Sequence, residues 1–130
     1  MKNFLIILSI TFIASISLSS FNVVNTPQER SDSFEIPKNI DIIFSSSCYS
    51  CHSVESTNYK AKMKLKLDEL ETMKLSKLVS KLNKIAKEVE KGDMPTKKFA
   101  KKYPDKMPTN EDKKTLIEWA RNSAKQLVGE

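Results

Sequence analysis

Cys48-Tyr49-Ser50-Cys51-His52 holds both cysteines and the only histidine of the 130-residue chain. Two thiols three positions apart on a helical turn can each add across one vinyl group of a haem. The residue that follows then offers its imidazole to the iron. The C-x-x-C-H spacing therefore predicts covalent attachment of haem c through Cys48 and Cys51, with His52 as the proximal ligand. Other chemistries fit less well. A structural zinc site takes about four Cys or His ligands, and the chain supplies three unless carboxylates or a second chain contribute. A redox dithiol of the thioredoxin kind belongs at a strand-to-helix junction, and no strand pattern surrounds Cys48.

A second axial ligand must be soft and neutral, and with no other histidine a methionine thioether is the remaining choice. Beyond the initiator stand Met63, Met73, Met94 and Met107. The first two fall in or near helical segments and read as fillers of the core. Met94-Pro95 and Met107-Pro108 are different, because proline biases its predecessor to extended backbone and so sets each sulfur on a loop able to turn toward an iron. The residues alone leave both loops open.

The elements that must position these groups read as helices throughout, and the fold class expected is all-α. Ile36, Ile40, Ile43, Phe44 and Ser47 share one face of a helix that runs into Cys48. Asp68 with Glu71 reads as a capping pair ahead of an apolar stripe through Leu75, Leu78, Val79, Leu82, Ile85, Ala86 and Val89, which stops at Gly92. A last helix starts at Thr109, with Asp112 three positions on, and carries Leu116, Ile117, Ala120, Leu127 and Val128 beside Trp119. Trp119, Tyr59, Tyr103 and Phe99 are the aromatic residues available to line a haem crevice, with ordinary core packing the alternative for each.

Three segments organise the chain. Met1-Lys2-Asn3 and the apolar run from Phe4 to Ala14, diluted by serines from Ser15 to Ser20, read as a signal peptide over 1–19; an uncleaved anchor is the alternative. A polar stretch without apolar period over 20–37 reads as a flexible linker. Residues 38–130 make one small haem-binding domain, marginal for a self-sufficient core unless a buried haem adds apolar surface.

From Ile40 to Trp119 the sequence resembles the haem-binding domain family of small bacterial c-type cytochromes. The shared features are the Ile-rich helix Ile40 to Phe44, Cys48 to Ser53, Glu90-Lys91-Gly92-Asp93-Met94-Pro95, Tyr103-Pro104, and Thr109 and Asp112 leading to Leu116 and Trp119. The chain departs from the family in having Asn58-Tyr59-Lys60 where a Pro-aromatic-Tyr segment usually stands. Met107-Pro108-Thr109-Asn110 is also similar to the ligand loop of other short cytochromes. The resemblance implies haem attachment on the exported side of a bacterial membrane, hence the periplasm, and puts the distal ligand on Met94.

Composition narrows the function further. Only two glycines are present, which excludes a nucleotide cradle, and no carboxylate pair or Ser/His arrangement suggests hydrolysis. With Met94 on the sixth position the iron is closed to substrate, so a monohaem electron carrier is expected rather than an enzyme. A haem protein with an open distal site, acting as a peroxidase or a gas or redox sensor, is the alternative. The net charge is +6, and fourteen lysines face six acidic residues between Lys60 and Lys102. A basic rim suits an acidic redox partner and a salt-sensitive encounter. Nucleic acid does not suit an exported haem protein. Membrane contact is expected only through an uncleaved N-terminus, and the chain is expected to be a monomer.

Overall fold

The computed structural model describes residues 34–130. The leader and most of the linker read from the sequence lie outside these residues. Among the described residues six α-helices follow one another: α1 (Lys38–Ser47), α2 (Tyr49–His52), α3 (Tyr59–Lys64), α4 (Leu75–Glu90), α5 (Lys97–Lys102) and α6 (Asn110–Val128). Two 3-10 segments, Leu67–Thr72 and Pro104–Lys106, join them. Among the described residues there is no strand, and the fold is all-α. No helix among them is long and apolar enough to cross a membrane.

The pairing of α4 with α6 is the largest in the domain. From α4 the stripe Leu78, Leu82, Ile85 and Ala86 is buried, and from α6 Leu116, Ala120 and Ala124 meet it. The two alanines leave room for close approach of the helices. Ile40, Ile43 and Phe44 of α1 and Leu67, Leu70 and Met73 of the 3-10 segment complete the core. Trp119 sits edge-on to Phe44 with ring centroids 5.7 Å apart and also meets Phe34 at 6.1 Å. Phe34 and Ile36 also pack against this core, finding apolar partners that a polar local context does not announce.

Both long helices close as their end residues predict. At the end of α4, Gly92 takes φ +73°, its N–H donates to the Val89 carbonyl at 3.0 Å, and the Asp93 N–H donates to the Glu88 carbonyl at 3.0 Å. This is a Schellman closure, which favours a residue without Cβ at the left-handed position. The start of α6 is a full capping box: Thr109 Oγ1 accepts from the Asp112 N–H at 3.1 Å, and the Asp112 carboxylate accepts from the Thr109 N–H at 2.9 Å. These bonds hold the Asp112 carboxyl below its usual range. Thr109→Ala is expected to lower stability by about 1 kcal/mol, seen as a lower urea midpoint with an unchanged slope.

The Asp68 and Glu71 pair has a different use from the one its spacing suggested. α4 begins after Lys74 with no side-chain cap, and Asp68 and Glu71 lie within the 3-10 segment. Asp68 accepts from the Val54 N–H and Glu71 from the Ile36 N–H, each at 2.8 Å. They fasten the chain on either side of the Cys-x-x-Cys-His turn onto the segment before α4. Met63 also departs from expectation: it is 64% exposed on the short α3, whereas Met73 is buried.

Candidate functional site

The Cys48 N–H donates to the Phe44 carbonyl at 2.8 Å, so α1 continues almost into α2. The N–H groups of Cys51 and His52 then both donate to the Cys48 carbonyl, at 3.1 and 3.0 Å. One turn of helix therefore sets the two thiols and the imidazole. Ser47 interrupts the apolar face of α1 for a reason: its buried hydroxyl donates to the Lys106 carbonyl at 2.8 Å, pinning the segment before α6 against the start of the motif. Ser56, also buried, donates to the Ser50 carbonyl at 3.0 Å and secures the other side.

Cys48, Cys51, His52 and Met94 all line one half-open cavity. Four residues separated by up to 46 positions in sequence are brought there because the Schellman turn carries the chain from α4 back over the motif. In that turn the Met94 N–H shares the Glu88 carbonyl with Asp93, at 3.1 Å. The Met94–Pro95 peptide is cis. Ile43, Val89, Phe99, Pro108 and Leu116 supply apolar wall. A second lobe of about 1070 Å³ shares Cys48, His52, Val89, Met94 and Leu116 with the first and adds Phe44, Leu65, Leu67 and Ile85.

Of the two Met-Pro loops, the cavity takes Met94 from the first but only Pro108 from the second. Met107 is half-buried and lines neither lobe. The aromatic residues also sort differently from the sequence reading. Phe99 and Phe44 reach the walls, Tyr103 packs behind Phe99 at 5.3 Å, Trp119 packs behind Phe44, and Tyr59 is 70% exposed.

His52 Nδ1 lies 3.3 Å from the Leu65 carbonyl. A carbonyl can only accept, so Nδ1 carries the proton and Nε2 keeps its lone pair for a metal. Burial holds the ring below the usual imidazole range; Lys64 pushes the same way, while the carbonyls of Leu65 and Ala61 oppose it. The ring is thus neutral at pH 7 and needs to shed no proton to coordinate. Nothing in the local sequence signals Leu65 as its partner.

The two thiols are free and not joined in a disulfide. Among the described residues no three His, Cys, Asp or Glu side chains gather to hold a metal ion. Burial, with a smaller contribution from Cys51, pushes the Cys48 thiol up to about 12. In chain made without haem, alkylation of Cys48 is therefore expected to be slow at pH 7 and to accelerate about tenfold per pH unit below 12, because only the thiolate reacts. Mass mapping of the modified peptide over pH checks this; a flat profile would refute it.

The donor set suits an iron tetrapyrrole. Two thiols, a neutral imidazole and a thioether border a largely apolar crevice, the lining that encloses a bound organic group. A family model described as a haem-binding domain matches residues 54–122, beginning just after the Cys-x-x-Cys-His turn. No curated protein and no solved structure matches the chain.

Proposed function

We propose that this chain, which belongs to the haem-binding domain family, is a monohaem c-type cytochrome that carries single electrons, with thioether bonds to Cys48 and Cys51 and with His52 and Met94 as axial ligands. The observation that carries this reading is the convergence of those four side chains on one cavity. When bound, the haem supplies a one-electron iron couple. The rest is the work of the chain. Leu65 fixes the tautomer and orientation of His52 through its carbonyl. Met94 offers a soft neutral sulfur, which favours the reduced iron and raises the potential. Ile43, Val89, Phe99 and Leu116 exclude water and so favour the less charged state.

The same reading makes the protein an exported, periplasmic electron carrier that meets an acidic redox partner. Support comes from the exposed lysines Lys97, Lys98, Lys101, Lys102 and Lys106 on α5 and the turn after it, which adjoin the wall formed by Thr96 and Phe99. Electron exchange through such a face slows as ionic strength rises.

The deciding experiment is the visible spectrum, oxidised and reduced, of the full chain matured with haem in an exporting host. Sharp low-spin bands with a weak sulfur-to-iron charge-transfer band are expected. High-spin iron that binds gases or peroxide rapidly would replace the electron carrier with a sensor or peroxidase.

A further inference from the structure

The two lobes of the crevice differ in charge. The wall of the first, which holds both cysteines, contains no Asp, Glu, Lys or Arg side chain. The second lacks Cys51 and is bordered by Lys64, Lys81 and Lys84 together with Glu88. Three ammonium groups against one carboxylate leave a net +2 around an otherwise apolar lobe. A haem has the matching polarity: its vinyl groups lie at one edge of the macrocycle and its two carboxylates at another.

We infer that Lys64, Lys81 and Lys84 hold the two carboxylates of the haem, with Glu88 as the balancing charge. The inference rests on the haem reading and adds to it the residues that orient the ring. If the vinyl groups must reach the first lobe to meet Cys48 and Cys51, the ring extends into the lobe they share with the lysines. Two carboxylates are equal and opposite to the charge waiting there. Lys81 is half-buried on α4, and its ammonium donates to the Lys64 carbonyl at the last turn of α3. Burial, with Lys84 and Lys77 nearby, lowers its affinity for a proton, a cost that an anion beside it would relieve. The lysines of α5 line neither lobe.

The test is chemical protection of the haem carboxylates. Full-length holoprotein is treated with a carbodiimide and a small amine, and the modified haem peptide is weighed after digestion. The native protein is expected to couple several-fold more slowly than the isolated haem peptide. Lys84→Gln and Lys81→Gln/Lys84→Gln should restore fast coupling, whereas Lys114→Gln/Lys125→Gln, which removes the same charge from the exposed side of α6, should not. Coupling in the native protein as fast as in the isolated peptide overturns the proposal without any variant. So does a Lys84→Gln rate equal to that of the control pair. Absence of covalent haem from the native chain would instead overturn the proposed function itself, and the mass of the intact protein reports that outcome separately.

Discussion

Met94→Ala is expected to keep its haem covalently attached while losing the sulfur-to-iron charge-transfer band and falling in midpoint potential. The attachment depends on Cys48 and Cys51, which lie across the cavity on α2 and the residue before it, so removal of the thioether leaves that chemistry intact. The loss falls on the iron. A harder oxygen ligand or an empty position stabilises the oxidised state, and axial ligation spans a potential range of ~0.8 V, so a drop on the order of 0.1 V or more is expected. Met107→Ala is the paired control, because that side chain lines neither lobe. Retention of the band in Met94→Ala with its loss in Met107→Ala would transfer the ligand to the second loop. Potentiometric titration and near-infrared absorption of the three proteins decide the matter.

Phe44→Ala carries the largest expected cost to folding. Phe44 is 1% exposed, meets Tyr49 at 6.0 Å and Trp119 at 5.7 Å, and also forms wall of the second lobe. Truncating a buried phenylalanine costs about 3–5 kcal/mol, which is most of the stability of a small domain near the low end of the ~5–15 kcal/mol range. Chain made without haem is therefore expected to lose its cooperative urea transition. The holoprotein should retain one at a lower midpoint, since a group held only by the folded state adds to its stability. A shift below about 1 kcal/mol in the holoprotein would mean that Phe44 does not anchor α1 as its burial implies.

Much of this site was legible because its signals are local. The Cys-x-x-Cys-His turn, the stripe of α1, the glycine that ends α4 and the Thr109–Asp112 box each depend on residues within a few positions of one another, where helical geometry translates spacing directly into placement. Met94 is a harder case. The Met-Pro pattern alone left it open against Met107, and the resemblance to a family, together with the short reach of Met107 just ahead of the Thr109 cap, favoured it; the structure separates the two by placing Met94 on the cavity wall and Met107 off it. What stayed hidden depends on contacts between distant segments. The Leu65 carbonyl that orients His52 carries no side-chain signature, since every residue has a carbonyl. Asp68 and Glu71 have the residue types of a cap, yet their carboxylates serve backbone donors at Val54 and Ile36. Trp119 could line a crevice or pack in the core, and its contact with Phe44 shows the second.

The shared Glu88 carbonyl gives the loop from α4 to Met94 an unusual evolutionary character. Two successive backbone donors, from Asp93 and Met94, converge on one acceptor, and the turn that permits this depends on the left-handed residue at Gly92. Backbone bonds are indifferent to side chains, so substitutions at Lys91 or Asp93 leave the arrangement standing. Insertion or deletion of one residue between Glu88 and Met94 changes which amide reaches the carbonyl and carries the sulfur away from the cavity. Among relatives, this stretch should therefore hold its length, with the spacing from Gly92 to Met94 inherited more strictly than the side chain at Lys91.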